Sequence, residues 1–167
     1  LDMSALMKWG LKYSLEMFAE DDTERETQVK TLIAKYEKID FQSMAMTFGI
    51  GNVKDGAMRM ATIMNVDQPE KVRELSKESS KLMSNYNVGG VKMKMTFEPE
   101  AETYGEVKAD LAKIKYEIDP QNPAAEMQKK INDTLYGPDG MITRTLYLKD
   151  RMAQTMGGGK PAAQALL

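Results

Sequence analysis

The sequence predicts an α+β fold: an N-terminal helical hairpin, then an antiparallel sheet of about six strands with helices on one face. Three observations carry that prediction. Apolar residues recur every three or four positions through the first 39 residues, and again near 70–86 and 123–135. Between those stretches they alternate with polar residues, the period of a strand. The order strand, strand, helix occurs twice and begins a third time, with Asp40, Gly90 and Gly140 marking units of about fifty residues. Successive hairpins added to one sheet account for that spacing without a solenoid.

Residues 1–20 read as a helix striped by Met3, Met7, Leu11, Leu15 and Phe18, with Leu6 and Trp9 widening the stripe. Trp9, the only tryptophan, is expected in the core. On a hairpin that projects from the sheet, Trp9 and Met7 would instead form a partner surface. Asp22 or Thr23 caps a second helix, whose buried side is Val29, Leu32, Ile33 and Tyr36. At Asp40 the period changes to two. Met44, Met46, Phe48 and Ile50 alternate with small and polar residues, Asp55-Gly56 signals a hairpin, and Met58 to Val66 is the second strand. Asp67 is the expected N-cap of a helix that has Pro69 in its first turn. Val72, Leu75, Leu82, Met83 and Tyr86 form its stripe, and Asn87, Gly89 and Gly90 stop it.

The second unit repeats this order. Val91 to Phe97 is a strand, Glu98 to Gly105 an acidic connection, and residues 107–118 a long strand. Its apolar phase slips near Ala112-Lys113, which suggests a β-bulge. Asn122 and Pro123 open a helix striped by Ala124, Met127, Ile131 and Leu135, and Gly137-Pro138 close it. The third unit is a hairpin, 141–148 and 151–156, turning at Lys149-Asp150. After Gly157-Gly158-Gly159, Pro161 starts a helix of about two turns. The chain begins at Leu1 and stops inside that apolar run, so it is expected to be a piece of a longer protein whose third helix packs on the sheet as the first two do. The division expected is a hairpin over 1–39 and an α+β domain over 40–167, together one compact unit.

Composition narrows the chemistry. Twenty-three Lys and Arg against 25 Asp and Glu leave a net charge of -2, no electrostatic ground for nucleic acid. With no cysteine and no histidine, disulfides, thiol nucleophiles, Cys/His zinc sites and histidine triads are excluded. No stretch approaches the roughly 20 apolar residues of a membrane span. Fifteen methionines include three Met-x-Met pairs: Met44 with Met46, Met58 with Met60, and Met93 with Met95. Soft thioethers suit Cu(I). A core under the helices is the preferred reading, because Met fills irregular gaps, and an adaptable apolar pocket is the third. The predicted core is these six methionines with Val72, Leu75, Met127 and Ile131.

Glu98, Glu100, Glu102 and Glu106 cluster as Ca²⁺ ligands would, but Pro99 divides them and no Asp-rich calcium loop is present. A solvated loop fits better. Gly157-Gly158-Gly159-Lys160 resembles a phosphate loop, yet Gln154 stands where its first glycine belongs and Pro161 where Ser or Thr belongs. It is read as a turn. Lys92 and Lys94 read as the wet face of a strand. No catalytic, cofactor-binding or metal-ligating residue is nominated.

The hairpin through Leu148-Lys149-Asp150-Arg151, the glycines 157–159, the helix start Pro161-Ala162-Ala163 and the passage from Met64 to Val72 together resemble exported bacterial proteins built from strand–strand–helix repeats. The resemblance spans residues 40–167 as pattern. It implies an exported, periplasmic or envelope-associated protein and carries over no functional residue. The function expected is a non-catalytic interaction module with a protein or carbohydrate partner. The alternatives are a carrier of a hydrophobic ligand in a Met-rich pocket and a hydrolase working by carboxylates alone.

Overall fold

The structure is a computed structural model that describes residues 3–16, 23–84, 86–88 and 91–167. It is an α+β fold on one antiparallel sheet. The elements, in chain order, are α1 (Met3–Glu16), α2 (Thr23–Tyr36), β1 (Phe41–Ile50), a 3₁₀ turn (Val53–Asp55), β2 (Met58–Val66), α3 (Pro69–Met83), β3 (Tyr86–Val88), β4 (Val91–Tyr104), β5 (Val107–Ile118), α4 (Ala125–Tyr136), β6 (Met141–Tyr147), β7 (Arg151–Met156) and α5 (Gly159–Gln164). The sheet order is β1-β2-β7-β6-β5-β4-β3. Six strands are long, and β3 adds three residues at one edge.

Cross-strand register puts the methionines into rows. Met44 pairs with Met64 and Met64 with Met152; Phe48 pairs with Met60 and Met60 with Met156. Residues directly opposite share a face of the sheet. That face is the one under α2 and α3, whose Val29, Leu32, Tyr36, Val72, Leu75 and Leu82 pack with Phe41, Met64, Val66 and Met152. Met152 and Ala153 are consecutive, so they point to opposite faces. Ala153 packs with Ala109, Leu146 and Ala163 of α5. The sheet is therefore covered on both faces, by α2 and α3 on one and by the short α5 on the other.

Several expectations change at this point. The first two helices are short rather than a clear N-terminal hairpin: α2 is built into the core beside α3, and the connection at 17–22, with the expected cap Asp22, lies outside the described residues. Gly89 and Gly90 lie outside them too. Trp9 is 64% exposed, stacked on Tyr13 at 5.8 Å, and not in the core. Of the predicted core, Val72, Leu75 and Met93 are buried, and Met44, Met58, Met60 and Met95 are half-buried. Met46, Met127 and Ile131 are exposed. The α3 helix ends at Met83, and Tyr86 begins β3, because a hairpin with β4 satisfies its backbone. Asp67 is not the N-cap of α3: Gln68 occupies that place without a side-chain cap bond, and the Asp67 carboxylate instead accepts from the Asp40 N–H and the Gln68 side-chain amide. Hydrogen bonds, that to Gln68 first, hold this carboxyl below the usual range.

The β5 bulge is absent. Its register runs unbroken from Ala109 to Ile114 against β6, and the irregularity lies in β4, between Glu98 and Glu102. The phase slip has another cause. Ala109 and Leu111 face the α5 side, whereas Ile114, opposite Met141 and Met95, faces the other. The covered face changes along the strand, and the apolar phase changes with it.

Candidate functional site

The passage from β5 to α4 builds a groove. Asp119 accepts from the Gln121 N–H and Asn122 from the Ala124 N–H, two Asx turns that fold 119–124 back on itself. The far end of α4 is pinned by the Ala57 N–H donating to the Thr134 carbonyl at 2.8 Å. Gly56, at φ 81°, admits that approach: a Cβ there would lie 2.4 Å from the Tyr136 carbonyl carbon. Between α4 and the end of β5 lies a space of about 920 Å³.

Its walls are mixed. Tyr116 of β5 and Tyr136 of α4 pair at 6.1 Å between ring centroids, tilted by 31°. Burial, then the neighbouring Tyr136, pushes the Tyr116 hydroxyl above the ordinary tyrosine range. Gln121, Asn122 and Asn132 supply amides. Among the wall charges Lys129 bonds Asp133, and Glu117 bonds Lys94 of the neighbouring strand at 2.5 Å; Lys115 and Glu126 add one charge of each sign outside these pairs. Lys94 thus sits in an ion pair on an exposed face, as its alternation with Met93 and Met95 implies, and Lys92 is exposed beside it.

α4 reaches this groove with its polar side. Ala125, Lys129, Asn132 and Tyr136 line it, spaced by three and four. Met127 and Ile131, the stripe expected in the core, lie on the opposite side at 62% and 49% exposure. None of the twelve residues of α4 is buried.

The acidic segment is strand, not connection. β4 runs through it to Tyr104, and the turn is left to Gly105-Glu106. At the irregularity Glu100 adopts φ 53°, a left-handed conformation rare outside glycine. This aims its N–H at the Asp110 carboxylate, 2.8 Å away. Asp110 is buried and also accepts from Nη2 and Nε of Arg73 of α3, at 2.6 and 2.8 Å. The guanidinium lies over the Tyr147 ring at 5.6 Å. Glu98 pairs with Lys113, and Glu100 with Lys108 and Arg73. Glu102 takes Arg144 at 2.7 and 3.2 Å and accepts from the Tyr104 hydroxyl. Three of the four glutamates proposed together are thereby drawn to separate cations. No group of three Asp or Glu side chains placed to hold a metal ion occurs among the described residues.

A second cavity, of about 450 Å³, holds Arg59, Arg144 and the glycines 157–159. Those glycines have φ of 70°, 72° and 63°. A Cβ on Gly157 would lie 2.4 Å from the Met58 carbonyl, and one on Gly158 2.6 Å from the Ala162 Cβ. They are a packed turn into α5, which starts at Gly159, so Pro161 is its third residue rather than its first. Met58, Met141 and Met156 line this cavity, but the groove at α4 contains no methionine.

The titration of the carboxylates bears on catalysis. Among the described residues, the displaced carboxyls, Asp67, Glu100, Glu102 and Glu117, are all displaced downward. A carboxylic acid that donates a proton near neutrality needs the opposite displacement. No helix among the described residues is long and apolar enough to cross a membrane. Fold and groove define an α+β protein with an antiparallel sheet and an aromatic cleft between β5 and α4. No family model, curated protein or solved structure matches the chain.

The groove was not among the sites read from the sequence. Its signals were present: two prolines in 119–124, and tyrosines on either side of them at 116 and 136. Nothing local says that these tyrosines meet.

Proposed function

We propose that this chain is a non-catalytic interaction module, exported or envelope-associated, whose ligand surface is the groove between β5 and α4. The observation that carries the reading is the Tyr116–Tyr136 pair set among amides in a wall whose charges nearly balance, two of them ion pairs. Ligand sites combine aromatic area with a few convergent polar groups. A wall with little net charge suits a neutral, polyhydroxylated chain, so a carbohydrate is the partner it fits. The strand–strand–helix pattern over 40–167 supports the exported setting. The methionine rows lie within the sheet rather than along the groove, which favours the module over a hydrophobic carrier.

The test is a nuclear magnetic resonance titration with neutral oligosaccharides of four to six units. Saturable shifts at Tyr116, Gln121, Asn132 and Tyr136 are expected. Tyr116→Ala should weaken binding about tenfold, the loss of one aromatic contact of roughly 1.4 kcal/mol. No saturable shift at millimolar sugar, or shifts away from the groove, would overturn the reading. The exposed, stacked Trp9 and Tyr13 on α1 favour a second reading, a protein partner, since such rings dominate protein interfaces.

A further inference from the structure

β1 forms one edge of the sheet and β3 the other. The two edges are built differently. β3 is three residues long. β1 is ten residues long and contains no charged residue and no proline. Proteins normally blunt an edge by shortness, charge, proline or a bulge, because its unpaired N–H and C=O groups are a template for another strand. Here the short edge follows that rule. The long edge has one register shift, between Phe41 and Ser43, and then runs regularly to Ile50.

α1 lies against β1, yet the six residues from Ala45 to Ile50 are all exposed, on both faces of the sheet. On one face stand Met46, Phe48 at 70% exposure and Ile50 at 93%. Met58 and Met60 of β2 lie opposite Ile50 and Phe48. Uncovered backbone beside uncovered apolar side chains calls for a strand, which would satisfy both.

We propose that β1 pairs antiparallel with β1 of a second copy of this chain, about a two-fold axis perpendicular to the sheet. A two-fold contact sets a surface against itself, so any charge on the strand would meet charges of its own sign. β1 carries none, and a net charge of -2 adds little repulsion between copies. The operator keeps the same face of both sheets on one side, so Met46, Phe48 and Ile50 of each copy continue the other's apolar surface. The contact consumes both β1 edges and closes at two copies, giving a sheet of fourteen strands. This inference is independent of the groove, which lies at α4.

Sedimentation velocity of the whole chain across roughly 10 to 500 µM, the range of weak strand-mediated association, tests it. A reversible dimer is expected. Phe48→Lys should raise its dissociation constant about a hundredfold, as a like-charge pair inside an interface does, with the far-ultraviolet spectrum unchanged. Thr47→Lys, on the opposite face of the same strand, should act in the same direction, and serves if the first variant folds poorly. Trp9→Ser should leave the dimer intact. A monomer throughout the range overturns the proposal. So does a dimer indifferent to both lysines, a dimer lost with Trp9→Ser alone, or growth into open-ended oligomers.

Discussion

Asp110 and Glu102 show how single residues are placed by partners far away in sequence. Asp110 gains Arg73, 37 positions distant, and Glu102 gains Arg144, 42 positions distant. Burial alone would raise the Glu102 carboxyl, but Arg144 and the Tyr104 hydroxyl outweigh it and hold the group below its usual range. Burial and then Glu102 push Tyr104 up to about 12. The signs of the stability effects follow. Folded Glu102 binds its proton less readily than the unfolded chain does, so its contribution is full above the unfolded pKa of about 4.3 and is lost as pH falls through the lower folded value. Tyr104 is the reverse: its contribution is full below the unfolded pKa of about 10 and fades as pH rises towards 12. Glu102→Gln should cost about 2 kcal/mol at pH 7, because Arg144 loses its counter-charge in a nearly buried setting. In urea unfolding the gap between wild type and variant should narrow as pH falls from 5 towards 3. A gap independent of pH would mean that Glu102 contributes packing and not charge. The sequence showed Glu102 only as a member of a local acidic run and did not single out Asp110, since the cations that pair with them arrive from another strand and from α3.

At the scale of elements, period was a better guide to type than to facing. Strands and helices fall close to where alternation and the three-to-four spacing put them. The misreadings have two physical origins. In β5 the apolar phase follows whichever face is covered locally, and a face change imitates a bulge. In α4 the stripe of Met127, Ile131 and Leu135 has the spacing of a buried face, but Ala57 and Gly56 anchor the helix at its end and leave its polar side towards the groove. Amphipathic period reports that a helix has two sides, not which side meets the sheet. A pair of substitutions separates the two helices. Leu75→Ala, in α3, should cost about 2–5 kcal/mol, the range for truncating a buried leucine. Ile131→Lys should change stability by less than about 0.5 kcal/mol, as exposed substitutions do. Equal losses in chemical denaturation would show α4 packed by its apolar stripe, and with it the groove closed.

For the whole molecule, the antiparallel α+β architecture was legible because hairpins declare themselves by alternation and turn residues. The way the sheet closes was not. Repetition of the strand–strand–helix unit implies that each helix joins the same face, yet α5 crosses to the other. The three glycines at positive φ between β7 and α5 redirect the chain, a route no side chain larger than hydrogen would permit at Gly157 or Gly158. α5 is six residues long, far below the length at which a helix holds alone, so packing maintains it. Ala163 is its anchor, fully buried against Ala109, Leu146 and Ala153. Ala163→Asp sets a carboxylate in that contact with no cation among those neighbours. Burying it intact would cost several kcal/mol, so the cheaper response is release of α5 from the sheet. The expected result is faster amide exchange in α5 and in β7, Arg151–Met156, while α2 and α3 on the other face keep wild-type protection. Ala163→Ser, which adds a hydroxyl but no charge, should lie between the two. Uniform loss of protection across both faces would show that the two sides of the sheet unfold as one, and that α5 is part of the global core rather than a local cover.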